Sequence, residues 1–148
     1  MSEHEYKRHN KTLLLYHLLF PLKYRIKVID EQIGLTLKGI CEGIEERYEI
    51  KFIEIGYESD HVHFLVQSVP MYSVSKIVEM LKSITSKQLF RIHPEIKAIL
   101  WGGKFWTSGY YANTVGQYSN EEVIRKYVQN QGLGGEYKKV HTGQLDMF

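Results

Sequence analysis

The stretch Ile50-Lys51-Phe52-Ile53-Glu54-Ile55-Gly56-Tyr57-Glu58-Ser59-Asp60-His61-Val62-His63-Phe64-Leu65-Val66-Gln67-Ser68 decides the fold. Its two halves are rich in β-branched and aromatic residues, with the turn-forming run Glu58-Ser59-Asp60 between them. It reads as a strand from Ile50 to Tyr57, a short turn, and a strand from His61 to Ser68. On a strand, side chains at i and i+2 share a face. Val62, Phe64 and Val66 therefore look into the core, while His61, His63, Leu65 and Gln67 look the other way. The two imidazoles share that second face. By the same alternation Asp60 faces away from both.

Working outward, Leu13 to Phe20 is a first strand, ended by Pro21. Asp30 to Tyr48 carries Ile33, Leu37, Ile40 and Ile44 at helical spacing behind an acidic start. Pro70 breaks the chain, and Ser73 to Arg91 is a second long helix with the stripe Val74, Ile77, Val78, Leu81, Ile84, Leu89. Residues 94–104 are short helix or loop, Phe105 to Thr114 a fourth strand, and Ser119 to Gln131 a last helix. Ser119 with Glu122 forms a capping box at its start. Gly132, Gly134 and Gly135 loosen the segment beyond that helix. The expected architecture is α+β: a ferredoxin-like β-α-β-β-α-β antiparallel sheet with helices on one face and a C-terminal helix. Residues 1–148 form one domain, with a loose arm at 1–11 and a flexible tail at 132–148.

The 148 residues suit a single domain. Hydrophobic content of 43% and aromatic content of 13% favour a packed globule over disorder. The single cysteine, Cys41, cannot close an internal disulfide, which makes a reducing interior the default compartment. No apolar run approaches the roughly 20 residues of a membrane span, and no secretory signal opens the chain. A net charge of +2 permits nucleic-acid binding through a local basic patch without demanding it.

Tyr127 and Gln131 stand four apart on the last helix, so phenol and amide share a face. If that helix packs on the histidine face, two nitrogens and an oxygen hold a metal beside a tyrosine hydroxyl. Those are the parts of a metal-assisted phosphodiester transfer through a covalent tyrosine. Each feature alone has a plainer reading. Paired histidines on a strand are more often surface or hydrogen-bonded residues, and tyrosine on an amphipathic face is usually core with its hydroxyl at the rim. Lys76, Lys87 and Arg91 project from one side of the second long helix; with Lys7, Arg8, Lys11, Lys23 and Arg25 they are candidates for DNA phosphates, or simply a solvated face. For Trp101, Trp106, Tyr110 and Tyr111, core packing is favoured over stacking on unpaired bases.

A resemblance covers nearly the whole chain. Asp60-His61-Val62-His63-Phe64-Leu65-Val66 resembles the histidine, bulky hydrophobe, histidine motif (HUH) of single-tyrosine transposases. Tyr16-His17-Leu18 with Lys23-Tyr24-Arg25 is similar to that family's first strand and basic turn. Trp101-Gly102-Gly103-Lys104-Phe105-Trp106, Gly109-Tyr110-Tyr111 and Thr114-Val115-Gly116 resemble the signature before its catalytic helix, and Tyr127-Val128-Gln129-Asn130-Gln131 resembles that helix. One departure is Ile26, where relatives often carry a second arginine. The resemblance implies a DNA transposase of the smallest insertion sequences. It implies His61, His63 and Gln131 as ligands of Mg2+ or Mn2+ and Tyr127 as nucleophile. Its substrates are single-stranded DNA hairpins at transposon ends, plus target DNA. A homodimer is implied, with tyrosine helices completing the partner's site, in a prokaryotic cytoplasm and at the nucleoid when DNA-bound, with no membrane partner. Competing readings are a relaxase or replication initiator, a domesticated relative acting on repeated hairpins, and a non-catalytic ferredoxin-like nucleic-acid-binding module. The last needs an exposed aromatic sheet face, where this sequence puts histidines.

Overall fold

The hairpin expected over residues 50–68 is present. A computed structural model describes residues 14–100, 103–117 and 138–142. In it, strands β2 (Lys51–Glu58) and β3 (His61–Ser68) pair antiparallel across a turn at Ser59-Asp60. Strand β1 (Leu14–Pro21) pairs antiparallel along the other side of β3. Helix α1 (Glu31–Arg47) joins β1 to β2, while α2 (Val74–Ile92) and the short α3 (Glu95–Ile99) lead from β3 to β4 (Tyr111–Gln117). A last strand, β5 (Lys138–Thr142), completes a sheet of order β4-β1-β3-β2-β5. Since β1 and β2 are both antiparallel to β3, they run parallel to each other with β3 between them. That is the split β-α-β arrangement expected from the sequence.

Local chemistry sets the helix ends. The Asp30 carboxylate accepts from the Ile33 amide at 2.9 Å and caps α1, and the Ser73 hydroxyl accepts from the Lys76 amide at 3.1 Å and caps α2. The apolar stripes of both helices cover one sheet face. Leu37, Cys41 and Ile44 of α1 and Ile77, Leu81 and Leu89 of α2 are buried with Val62, Phe64 and Val66 of β3. Burying each of those strand side chains contributes about 1.5–3 kcal/mol. Among the described residues, no helix is long and apolar enough to cross a membrane.

Two expectations change. The fourth strand begins at Tyr111, not Phe105. Phe105 and Trp106 turn into the helix-side core, and Trp106 keeps only an isolated bridge to Leu22. The Trp106 indole N–H donates to the buried Thr85 hydroxyl at 3.0 Å, and the Lys82 ammonium donates to the carbonyls of Thr107 and Gly109, both at 2.8 Å. With those carbonyls bonded to a lysine, the ladder starts later. Second, the region expected as a flexible tail, 132–148, contains β5, which pairs with β2 from Glu54 to Tyr57. The glycines before it mask a five-residue strand that covers an otherwise open sheet edge. On the face away from the long helices, Leu15, Ile53, Leu65 and Gln67 are also buried. The N-terminal arm 1–11, the capping box at Ser119 and Glu122, and Trp101 lie outside the described residues.

Thr85 also donates its own hydroxyl to the Leu81 carbonyl at 2.6 Å, so one buried oxygen serves α2 and the 103–110 segment together. Thr85→Val should therefore lower stability by about 1–3 kcal/mol in urea unfolding, since it strands the indole N–H. Thr85→Ser, which keeps the oxygen, should cost less; equal losses would contradict this account.

Candidate active site

The pleat of β3 puts both imidazoles on the face away from α1 and α2. His61 and His63 have ring centroids 5.0 Å apart at an interplanar angle of 68°. The strands on either side supply what surrounds them. On β2, Gly56 stands opposite His63 and contributes no side chain there, while Glu58 stands opposite His61. On β1, His17 pairs with Leu65 and is thereby the diagonal neighbour of His63. The His17 and His63 rings stack at 5.2 Å and 13°, with His17 Nε2 3.1 Å from His63 Nδ1.

His61 is buried and gripped from both sides. Its Nδ1 lies 2.8 Å from Asp60 Oδ1 and its Nε2 lies 3.0 Å from Glu58 Oε2. Asp60 thus reaches the histidine it was expected to face away from. It sits in the turn rather than in the strand, so strand alternation does not govern its direction. Its second oxygen, Oδ2, accepts from Arg25 Nε at 3.1 Å. Partial burial works to raise the Asp60 carboxyl, but bonds from His61 and Arg25, with their charge, outweigh it and hold it below the usual range. Burial lowers His17, partly opposed by the Glu54 carboxylate. Burial, together with repulsion from His17 and His61, pushes His63 down to about 4. At neutral pH the His63 ring is therefore uncharged, the form in which imidazole binds a metal.

A divalent ion fits this place in part. Two imidazoles share one face, one is held neutral, and a carboxylate lies beside the other. Among the described residues, though, no three His, Cys, Asp or Glu side chains are arranged to hold an ion. Tyr127 and Gln131, expected as nucleophile and third ligand, lie outside the described residues. His17 and Glu58 were not singled out from sequence as site residues. Parity alone puts His17 on the Leu15 face, but only the register of β1 against β3 brings it to His63.

The basic candidates divide. Lys87 and Arg91 line a groove of about 430 Å³ with Ser86, Phe90, Lys97 and Gly103. Lys76 is exposed on α2, eleven residues or about 16 Å before Lys87. Lys23 is half-buried, its ammonium 5.1 Å from the Tyr24 ring. Arg25 is engaged by Asp60. Of the aromatics weighed for base stacking, Trp106 is core, whereas Tyr110 and Tyr111 are exposed.

An α+β sheet carrying paired histidines beside acidic partners, with a basic groove on a covering helix, has the makings of an enzyme that works on phosphodiesters. The family model described as "Transposase IS200 like" matches residues 10–131. The chain belongs to the IS200-like transposases. It is 31% identical over 118 residues to the ISDra2 transposase TnpA of Deinococcus radiodurans, covering 80% of this chain and 84% of that one. It is 28% identical over 135 residues to the transposase of insertion sequence element IS200 from Salmonella typhimurium, covering 88% and 85%. Among solved structures, a transposase candidate from Deinococcus radiodurans R1 superposes with a TM-score of 0.64 at 27% identity, covering 80% of this chain and 91% of that chain. A REP-associated tyrosine transposase bound to a REP hairpin shares the fold at a TM-score of 0.54 and 12% identity, covering 82% and 68%.

In metal-free protein the His63 ring should remain neutral at pH 6 and titrate near 4, read from imidazole nitrogen shifts by NMR. Because the folded value lies below the unfolded one, acidification from about 6.5 to 4 should cost stability, and the contribution should be whole again above 6.5. A ring titrating at its ordinary value would contradict the burial argument.

Proposed function

We propose that this transposase cleaves and rejoins single-stranded DNA at hairpin-marked ends of an insertion sequence, with Tyr127 as nucleophile. The supporting observation is the pair of partnered imidazoles on one sheet face of a chain that belongs to the IS200-like transposases. His61 and His63, with Gln131, would hold Mg2+ or Mn2+. Two nitrogens and an amide oxygen suit manganese, whereas magnesium prefers oxygen, so the donor set leaves both open. Bound there, the cation would offset the phosphate's negative charge and orient it.

The chain's own groups do the rest. The Tyr127 oxygen, after losing its proton, attacks phosphorus; the bond to the 3′-oxygen breaks and departs as a 3′-hydroxyl, leaving a 5′-phosphotyrosine. The phosphodiester energy is kept in that link, so a second strand's 3′-hydroxyl reverses the step and frees the phenol without a nucleotide cofactor. A water-activating nuclease would lose that energy. A homodimer whose tyrosine helices complete the partner's site is part of this reading. The groove at Lys87, Arg91 and Lys97 supplies positive charge for DNA phosphates, with the half-buried Phe90 ring alongside.

The decisive experiment incubates the protein with labelled single-stranded hairpin DNA and Mn2+ and looks for an adduct that survives denaturation. Tyr127→Phe should abolish the adduct and cleavage while hairpin binding stays near wild type. His61→Ala and His63→Ala should each abolish metal-dependent cleavage. Equal activity of the phenylalanine variant would end the nucleophile assignment, and a duplex substrate should give no adduct.

Charge reversal separates the groove from the chemistry. Lys87→Glu and Arg91→Glu should weaken hairpin binding and reduce the slope of log affinity against log salt by about one for each phosphate no longer neutralised. An unchanged salt slope would remove the groove from the DNA path.

A further inference from the structure

Residues 22–29, between β1 and α1, wrap the Ser59-Asp60 turn; core packing accounts for Leu22, Ile26, Val28 and Ile29, but not for the two residues at 24 and 25. The Leu22 amide donates to the Asp60 carbonyl at 2.9 Å, and the Val28 and Ile29 amides both donate to the Ser59 carbonyl at 3.0 Å. Between these anchors, Tyr24 (φ 59°) and Arg25 (φ 53°) both adopt the left-handed conformation that side chains other than glycine's rarely take. Such strain persists only where the surroundings impose it. Burial is not the return, because the Tyr24 ring is 63% exposed. Nor is ion-pair stability, since an arginine more than half exposed gains little from a surface carboxylate. What the strained turn achieves is direction: it carries the Arg25 guanidinium back onto Asp60 Oδ2, while Asp60 Oδ1 meets His61 Nδ1.

We propose that Arg25 and Asp60 form a positioning pair for the His61 imidazole: the bond at Nδ1 fixes the ring's rotation, so that Nε2, which meets Glu58 Oε2 at 3.0 Å, is the nitrogen a metal would take over from that carboxylate. This deepens the reading of His61 as a ligand and rests on it. A carboxylate oxygen accepts, so His61 Nδ1 donates to Asp60. Arg25, bonded to the other carboxylate oxygen, holds the plane of Asp60 and with it the rotation of the ring. Partners of this kind, bonded to the far nitrogen of a ligating histidine, typically change metal affinity by about 10–100-fold. The pair also gives Arg25 a duty other than gripping DNA.

The test uses the full chain without DNA. Mn2+ affinity is measured by calorimetry and electron paramagnetic resonance, and the His61 ring nitrogen shifts are read in metal-free protein. Asp60→Ala should weaken Mn2+ binding by about 10–100-fold and move the His61 Nδ1 shift. Arg25→Ala should shift both in the same direction by less. Asp60→Asn, which keeps size and one acceptor, guards against misfolding and should fall between wild type and alanine. Wild-type affinity and an unmoved Nδ1 shift in Asp60→Ala, with metal lost in His61→Ala, would overturn the positioning pair and leave His61 a ligand. Wild-type metal binding in His61→Ala would overturn both.

Discussion

Strand β3 is paired along its whole length on both sides, by β1 and by β2, and its pleat is the constraint on which the rest depends. A one-residue slip against either neighbour would exchange its two faces, sending Val62, Phe64 and Val66 toward the histidine side and the imidazoles into the aliphatic core. Three fully buried apolar side chains under two helices make that exchange costly. The register that satisfies the core is therefore the same one that presents His61 and His63 together. Nothing beyond the pleat is needed to put them there; what surrounds them decides what they are.

The polar groups around them satisfy each other in two sets. Asp60 and Glu58 hold the two nitrogens of His61, while His17 meets His63. The two rings thereby have different neighbours: carboxylates stand at both nitrogens of His61, while burial beside imidazoles disfavours charge on His63. Contrast His93, also buried, whose Nε2 meets the Thr36 hydroxyl at 2.7 Å and whose Nδ1 lies 3.5 Å from Glu95. That ring ties the end of α2 to α1 and has no second imidazole beside it. Histidine burial alone does not mark a site; convergence does.

Much of this was legible without coordinates, and the limit falls at a definite physical boundary. Periodicity placed β1, α1, the β2–β3 hairpin and α2 within a residue or two, because each owes its form to its own apolar pattern and caps. Parity placed the histidines on one face. What sequence could not supply was register between strands distant in the chain, which alone brings His17 to His63, or the direction of a turn residue such as Asp60. The start of β4 was misplaced because Phe105 and Trp106 look like strand residues, while their partners Phe20, Thr85 and Phe90 lie far off in sequence. β5 was hidden by the glycines before it, since an edge strand needs only a neighbour, not a strong pattern of its own.

Placing paired histidines on a central strand has a consequence for their geometry. A histidine on a loop can be reoriented by its backbone; one on a strand bonded from both sides can move only through its two side-chain torsions. Those torsions are then fixed by bonds to the far ring nitrogens, and the bonds come from β1 and from the turn beside β2. The strain at Tyr24 and Arg25 fits that logic, because a rigid first layer gains only if its supports are equally fixed.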